Sequence, residues 1–268
     1  MLKYLYNYQV ATQFAQAVTT HTVMLRCQPA TNTSQRLEQE HVVLPGIFRM
    51  SSGTDAFGNR ILYGTTREPH QSLIYVSTGI AAQGEYCIPD SAPAPYYRMP
   101  SRLTFPSAEI MAIQIPGLES SSGTSLDKAS DIPPYEKALL ICHAVNKLLE
   151  YESHTTLVTT SAAEALKQGK GVCQDYAHLM ISLCRLHGLT ARYANGFIIG
   201  EGETHAWVEV HDGYAWRAFD PTHDTPVCSG YIKLAHGRDA IDCTVDRGTF
   251  VGPTSQETHI SVTLLQCN

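Results

Sequence analysis

The 268-residue sequence has few charged side chains and no long apolar segment. Charged residues make up 16% of the chain and the net charge is −6, so it lacks the basic surface that nucleic-acid binding requires. No segment approaches the ~20 consecutive apolar residues that a membrane-spanning helix needs. The N-terminus lacks the apolar region and cleavage site of a signal peptide. We therefore expect a cytoplasmic protein that binds neither nucleic acid nor membrane.

The eight cysteines are scattered, without a Cys-x-x-Cys pair. This spacing does not match zinc-binding patterns, and a disulfide framework is not expected in a chain of this size without a signal peptide. Most of these cysteines should be small buried apolar side chains. Cys173 stands apart, because it follows two glycines in GKGVCQDYAH and begins an apolar segment with helical periodicity. We predict no metal site and no cofactor.

The chain divides into two regions of different periodicity. Residues 1–105 contain short β-branched and aromatic runs separated by turn residues, which predicts a β-sandwich. Residues 106–130 include a Gly/Ser-rich stretch and are predicted to be a linker. In residues 131–268, apolar residues at helical spacing precede several strands. We predict an α+β core there, with helices packed on an antiparallel sheet.

The segment HAWVEVHDGYAWRAFD predicts a β-hairpin, because Asp212-Gly213 is a strong two-residue turn. If these two residues form the loop, His205 lies directly opposite Asp220. Directly opposed side chains share a face, with Cβ atoms roughly 4.5–5.5 Å apart. An imidazole and a carboxylate at that separation can form a hydrogen bond. The hairpin is therefore expected to have one apolar face and one face that carries the His–Asp pair.

The residues alone leave two interpretations of Cys173. A cysteine on an apolar helix is usually a packed thiol. The alternative is a nucleophile, because free N–H groups and the positive partial charge at a helix N-terminus favour the thiolate, as does a neighbouring imidazolium. In that case the thiolate attacks, the imidazole of His205 transfers the proton and the carboxylate of Asp220 orients the imidazole.

At these positions the sequence resembles the transglutaminase-like superfamily, in particular the bacterial transglutaminase-like cysteine proteases. The matching stretches are GKGVCQDYAHLMISLCRLHGLTARYANGF, THAWVEV and WRAFDPT, in the order Cys, His, Asp, and DAFGNR resembles the β-sandwich that often precedes this core. The resemblance implies a papain-like core, with Cys173 as nucleophile, His205 as base and Asp220 as the residue that orients it. Members of the family include peptidases, amidases and protein cross-linkers.

We therefore predict a cysteine-dependent amide hydrolase, a peptidase or amidase whose substrate is a peptide or another amide. Two alternatives stay open: a protein-glutamine acyltransferase that cross-links proteins, and a non-catalytic binding module on the same fold. Gly171, Tyr193, Asn195 and Trp207 are predicted to line the cleft or to contribute to an oxyanion site. For Trp207, core packing is an equal alternative. The sequence does not indicate the oligomeric state.

Overall fold

The computed structural model describes residues 1–118, 132–153 and 155–267. Two large antiparallel sheets dominate these residues, one with eight strands and one with six. Helices pack on one face of the six-stranded sheet, which gives the predicted α+β, papain-like core beside a β-rich N-terminal region. Among the residues described, no helix has the length and apolar character needed to cross a membrane.

The strands and helices follow one another in an order that places most of the helices between the N-terminal strands and the strands of the core. The strands are β1 (Leu2–Leu25), β2 (Gln35–Val43), β3 (Arg49–Thr54), β4 (Arg60–Thr66), β5 (His70–Gln83), β6 (Ile88–Pro89), β7 (Glu150–Tyr151), β8 (Lys170–Gly171), β9 (Ala191–Ile198), β10 (Gly200–Gly202), β11 (His205–His211), β12 (Ala215–Asp220), β13 (Thr225–Pro226), β14 (Tyr231–Gly237), β15 (Asp246–Val251) and β16 (Gln256–Gln266). The α-helices are α1 (Ala108–Met111), α2 (Pro134–Leu148), α3 (Ala162–Gln168) and α4 (Cys173–Leu186), and two 3-10 helices cover Pro95–Arg98 and Ala240–Cys243.

Strand β1 holds the N-terminal sheet together. Its first half pairs with β5 and β16 and its second half with β4 and β15, and the register of its pairing with β15 shifts between Thr19 and Thr22. Side chains of a strand point alternately to its two faces. The buried Tyr4, Tyr6 and Tyr8 therefore share one face, where Tyr6 and Tyr8 contact Phe197 of the core.

The last strands of the chain lie beside the first one, in the N-terminal sheet. β15 and β16 pair with β1, and the short strand β10 adds to the outer edge of β16. The boundaries expected from the sequence, 1–105, 106–130 and 131–268, stay a prediction. Residues 119–130 of the expected linker lie outside the described residues, and α1 occupies part of the linker before them.

The six-stranded sheet has the order β13-β12-β11-β9-β14, with β6 beside β12, and α4 packs against β11 and β9. Val208, Val210 and Phe219 face the helices, as the apolar face of the predicted hairpin requires. The helix before α4, α3, begins with a capping box formed by Ser161 and Glu164. It ends at Gly169, whose φ of 68° is left-handed, a conformation in which glycine is favoured.

The hairpin of β11 and β12 differs from the expected register. Val208 pairs with Phe219 and His211 with Trp216, so the two-residue turn is Gly213-Tyr214 and not Asp212-Gly213. The turn shifts because the Asp212 carboxylate accepts hydrogen bonds from the backbone N–H groups of the two residues after Gly213. The pairing moves by two positions, which keeps every side chain on its predicted face. Asp220 is thus diagonal to His205, a distance that the two side chains still span.

Candidate active site

Cys173 is the first residue of α4, and its half-buried side chain lies in an open cleft. The helix can begin there because the buried carboxylate of Asp175 accepts a hydrogen bond from the N–H of Val172 at 2.8 Å. The N–H groups of Cys173 and Gln174 make no hydrogen bond with any of the residues described. The thiol therefore lies beside free donors at the positive end of a helix.

His205 and Asp220 form the expected pair. The imidazole Nε2 lies 2.7 Å from Asp220 Oδ2, and both side chains are buried. The thiol of Cys173 lines the same cleft and lies near enough to the imidazole to raise the pKa of His205. The structure thus brings together the three residues that the sequence singles out, with His205 between the thiol and the carboxylate.

Asp220 accepts more hydrogen bonds than the sequence analysis anticipated. Its Oδ2 also lies 2.6 Å from Nδ1 of His223 and accepts a hydrogen bond from the hydroxyl of Tyr231 at 2.8 Å. Its Oδ1 accepts from the backbone N–H groups of Thr222 and His223. The segment Asp-Pro-Thr-His could have indicated the bond from the N–H of Thr222, since an Asp side chain often bonds to the backbone two residues on, but it does not indicate the His223 imidazole. Tyr231 lies on another strand, and no local pattern indicates it.

These contacts set the ionisation of the pair. Burial alone would lower the pKa of the His205 imidazole, but its hydrogen bonds to Asp220 and Cys173, together with their charges, raise that pKa to about 10. Burial alone would raise the pKa of the Asp220 carboxyl, but the hydrogen bonds from His205, His223 and Tyr231 outweigh it and lower that pKa. At neutral pH the site therefore holds an imidazolium against a carboxylate.

The loop that follows Asp220 and carries His223 is anchored to α2. The amide nitrogen of Asn146 donates hydrogen bonds to the carbonyl oxygens of Pro221 and Thr222, each at 3.0 Å. His143, one turn earlier on the helix, pairs with Asp224. Helix α2 therefore contributes no group to the cleft but holds the loop in place.

The four further residues predicted for the cleft divide into two pairs. Tyr193 and Asn195 line it, and the charge of Cys173 is among the causes, after burial, that raise the pKa of Tyr193. Gly171 and Trp207 do not line it. Gly171 is buried behind the start of α4, where an added Cβ would lie 2.7 Å from Asp175. Trp207 is fully buried and donates a hydrogen bond to the hydroxyl of Tyr86, because its face of the sheet packs against other aromatic side chains.

The cleft has a volume of about 1390 Å³ and extends from Cys173 to the N-terminal sheet. Its walls come from residues 201–205, from strands β1, β15 and β16, and from Tyr151, Ser153, Thr156, Val158 and Thr159. This volume exceeds the ~300–1,000 Å³ of sites for small molecules. The N-terminal region therefore forms part of the cleft in which Cys173 lies.

The side chains of His205, Asp220 and His223 are also close enough to be considered as metal ligands, since their ligand atoms lie within 4.8 Å of one another. Their arrangement is already explained by the hydrogen bonds from both imidazoles to the carboxylate. A metal ion would have to displace the proton of His205, whose pKa is raised to about 10. The residues therefore do not favour a metal site.

Comparisons with known proteins agree with this architecture. Residues 126–221 match the transglutaminase-like superfamily, and residues 4–82 match the bacterial transglutaminase-like N-terminal region. An uncharacterized protein of Mycobacterium leprae is 27% identical over 251 residues, which cover 85% of each chain. One from Mycobacterium tuberculosis is 28% identical over 226 residues, 74% of this chain and 71% of that protein. The crystal structure of a candidate cysteine protease from Cytophaga hutchinsonii shares the fold, with a TM-score of 0.76, 22% identity and coverage of 100% of this chain and 92% of that one.

Proposed function

We propose that this chain, which belongs to the transglutaminase-like superfamily, is a cysteine-dependent amide hydrolase, a peptidase or amidase that works through a thioester acyl-enzyme. One observation carries the proposal: the His205 imidazole is hydrogen-bonded to the Asp220 carboxylate and shares an open cleft with the Cys173 thiol, which lies at the start of a helix and raises the pKa of the imidazole. Nucleophile, base and orienting group are the three parts that covalent catalysis by cysteine requires.

The reaction has two steps. The sulfur of Cys173 bonds to the carbonyl carbon of the amide while His205 holds the thiol proton. The C–N bond then breaks, His205 protonates the leaving amine, and a thioester forms. In the second step His205 takes a proton from water, the water oxygen attacks the thioester, and the sulfur leaves and regains the proton.

The backbone at the start of α4 supplies the group that stabilises the negative charge on the carbonyl oxygen. The N–H groups of Cys173 and Gln174 have no protein partner among the residues described, and they lie at the positive end of the helix. Donors that are already oriented towards a developing oxyanion stabilise the transition state without reorganisation.

Cys173→Ala tests the mechanism on fluorogenic peptide amides. We expect kcat/KM to fall by at least about a thousandfold, because no other group in the variant can form the acyl-enzyme. Cys228→Ala, which removes an exposed thiol outside the cleft, is the matched control and should retain activity. Equal activity of Cys173→Ala and wild type, with both folded by circular dichroism, would refute the proposal.

The two rival functions have separate outcomes. A glutamine-containing peptide and a labelled primary amine are supplied together, and we expect release of ammonia with little labelled product. Preferential incorporation of the amine would instead identify an acyltransferase. A binding module would show no turnover, and iodoacetamide at neutral pH would modify Cys173 no faster than the exposed Cys228.

A further inference from the structure

His223 is a side chain of the cleft that the mechanism proposed above does not use. Its Nδ1 lies 2.6 Å from Oδ2 of Asp220, the same oxygen to which His205 is hydrogen-bonded. An ionised carboxylate only accepts hydrogen bonds, so Nδ1 of His223 carries the proton of this bond. In a neutral imidazole the other nitrogen is then an acceptor. That nitrogen, Nε2, makes no hydrogen bond with any residue that the structure describes.

The fold holds this imidazole in place without burying it. The side chain of His223 is 52% exposed and lines the same cleft as Cys173. The backbone N–H of His223 also donates to Asp220, at 3.2 Å from its Oδ1, and Asn146 holds the two preceding carbonyl oxygens. The ring is therefore fixed through both its backbone and its Nδ1, while its other side stays open to the cleft. An exposed group with a fixed orientation is what a reacting molecule in the cleft requires.

The imidazoles of His205 and His223 share one carboxylate oxygen. Each ring directs one nitrogen at Oδ2 of Asp220, so the second nitrogen of each ring is turned away from that oxygen. The two ring centres lie 5.1 Å apart. A water molecule with two hydrogen bonds of about 2.9 Å each can span up to about 5.8 Å. The spacing of the two rings is within this span, so one water molecule in the cleft can contact both imidazoles.

We propose that His223 is a catalytic residue of the second step, in which its Nε2 accepts a hydrogen bond from the water molecule that attacks the thioester. Water carries two protons. His205 takes one and passes it to the sulfur of Cys173 as the C–S bond breaks. The other proton stays on the oxygen, which becomes part of the carboxylic acid product, and donates to His223 while the C–O bond forms. This hydrogen bond orients a lone pair of the water towards the carbonyl carbon. The inference rests on the proposed function, since it concerns the acyl-enzyme of that reaction.

His223→Asn separates this role from support of Asp220. The amide nitrogen of asparagine can replace Nδ1 as a donor to Asp220, but the variant has no atom in the place of Nε2. Stopped-flow assays with a p-nitrophenyl ester measure formation of the acyl-enzyme, and intact-protein mass spectrometry follows its breakdown. We expect formation to be unchanged and breakdown to be about tenfold slower. His259→Asn, the same change at an exposed position outside the cleft, should alter neither rate.

Methanol provides a readout that a purely structural role would not change. Its single O–H proton must go to His205, so methanol has no second proton to donate to His223. In water that contains methanol, the acyl-enzyme divides between the acid and the methyl ester. His223→Asn should slow only the reaction with water, so the ratio of ester to acid should rise by about tenfold. An unchanged ratio would overturn the inference, because weaker support of Asp220 slows both nucleophiles alike.

The inference and the proposed function fail in different ways. If the ester leaves no acyl group on Cys173 of the wild type, as located by peptide mapping, the proposed function and the inference are both refuted. If the acyl-enzyme forms but breaks down at the same rate in the wild type and in His223→Asn, the proposed function stands and only the role of His223 is refuted. Slower breakdown together with the higher ester-to-acid ratio supports both.

Discussion

Asp220 is the residue on which the whole site depends. It is fully buried, and its two oxygens accept from His205, His223, Tyr231 and two backbone N–H groups. A buried carboxylate is costly unless such partners are present. The partners keep it ionised, and its charge in turn favours the imidazolium form of His205. The hydrogen-bond partners that keep Asp220 ionised therefore also keep the His205 imidazole in position.

Asp220→Asn should lower activity far more than stability. The amide cannot supply the charge that raises the pKa of His205, and its NH₂ group cannot accept from an imidazole N–H. We expect kcat/KM to fall by about two to four orders of magnitude. Asp212→Asn, the same change in the turn of the same hairpin, is the control and should retain activity. A loss of less than tenfold in Asp220→Asn would show that His205 does not need this carboxylate.

Sequence patterns predict only some of the residues around Asp220. The Cys, His and Asp motifs identify three positions, and the common face of the hairpin correctly indicates that His205 and Asp220 meet. His223 and Tyr231 need three-dimensional information, because β14 reaches the carboxylate through its pairing with β9. Long-range pairing of this kind leaves no trace in local periodicity.

At the scale of the element, the start of α4 explains the glycines before Cys173. Gly169 ends the previous helix in a left-handed conformation. Gly171 gives space to the Asp175 carboxylate, which caps the new helix and also accepts a hydrogen bond from Thr156. The sequence predicts that Gly171 lines the cleft or contributes to an oxyanion site. In the structure, Gly171 instead allows the close packing that holds Cys173 at the helix terminus.

Gly171→Ala should therefore destabilise the protein although it adds one methyl group. The new Cβ would lie 2.7 Å from both Cβ and Oδ2 of Asp175, so the cap must move, and we expect a loss of about 1–3 kcal/mol of unfolding free energy. Gly53→Ala is the matched control, because its nearest neighbour would be 3.9 Å away. Urea denaturation measures both. If the two variants unfold at the same urea concentration, the cap does not depend on Gly171.

The hairpin shows what local signals can and cannot determine. The Asp-Gly dipeptide predicts a tight turn and the alternation predicts the two faces, and both are observed. The position of the turn is off by one residue, because Asp212 accepts from the backbone beyond Gly213 and so becomes the residue before the turn. The two faces of the hairpin are still predicted correctly. The prediction that His205 and Asp220 are directly opposed is wrong, because they are diagonal neighbours.

At the scale of the molecule, buried hydrogen bonds as well as apolar surface join the N-terminal sheet to a buried charge cluster of the core sheet. Gln35 of the N-terminal sheet bonds to the backbone of Lys233, and Lys233 pairs with Glu209 within the core. Arg192 also pairs with Glu209, and its guanidinium lies 3.9 Å from the centre of the Trp216 ring. Removing one of these three charges would leave the others buried without a full set of partners, which is costly.

Burial lowers the pKa of four histidines, and the shift is large for three of them, which lie in different parts of the fold. The pKa values of His21, in the N-terminal sheet, and His178, in α4, are each lowered to about 4, with burial the largest cause. The pKa of His236 is lowered further, to about 2, by burial and then by Lys233 and Arg192. Asp246 acts in the opposite direction, because burial raises its pKa to about 6.

These shifts predict a loss of stability in mild acid. A histidine in the unfolded chain has a pKa near 6.5. Below that pH the unfolded chain therefore binds protons that the buried, neutral histidines of the folded protein do not bind. Each such histidine lowers the free energy of unfolding by about 1.4 kcal/mol for each pH unit. Asp246 offsets one of the three below pH 6, because its folded form is then protonated and its unfolded form is not. Carboxylates with lowered pKa, such as Asp220, contribute only below about pH 4. Urea denaturation between pH 6.5 and pH 5 should therefore show stability falling as pH falls, whereas above pH 6.5 the raised pKa of His205 acts in the opposite direction.

His178→Gln isolates one of these contributions. Its Nε2 accepts a hydrogen bond from the N–H of Ala240, a role that the amide oxygen of glutamine can take without binding a proton. The variant should lose some stability at pH 7, but its slope between pH 6 and pH 5 should be shallower than that of the wild type by about 1.4 kcal/mol per pH unit. His259→Gln, at an exposed position, should leave the slope unchanged. Parallel slopes for His178→Gln and the wild type would mean that His178 takes up a proton in the folded protein, so acid lability would have to come from the other buried histidines.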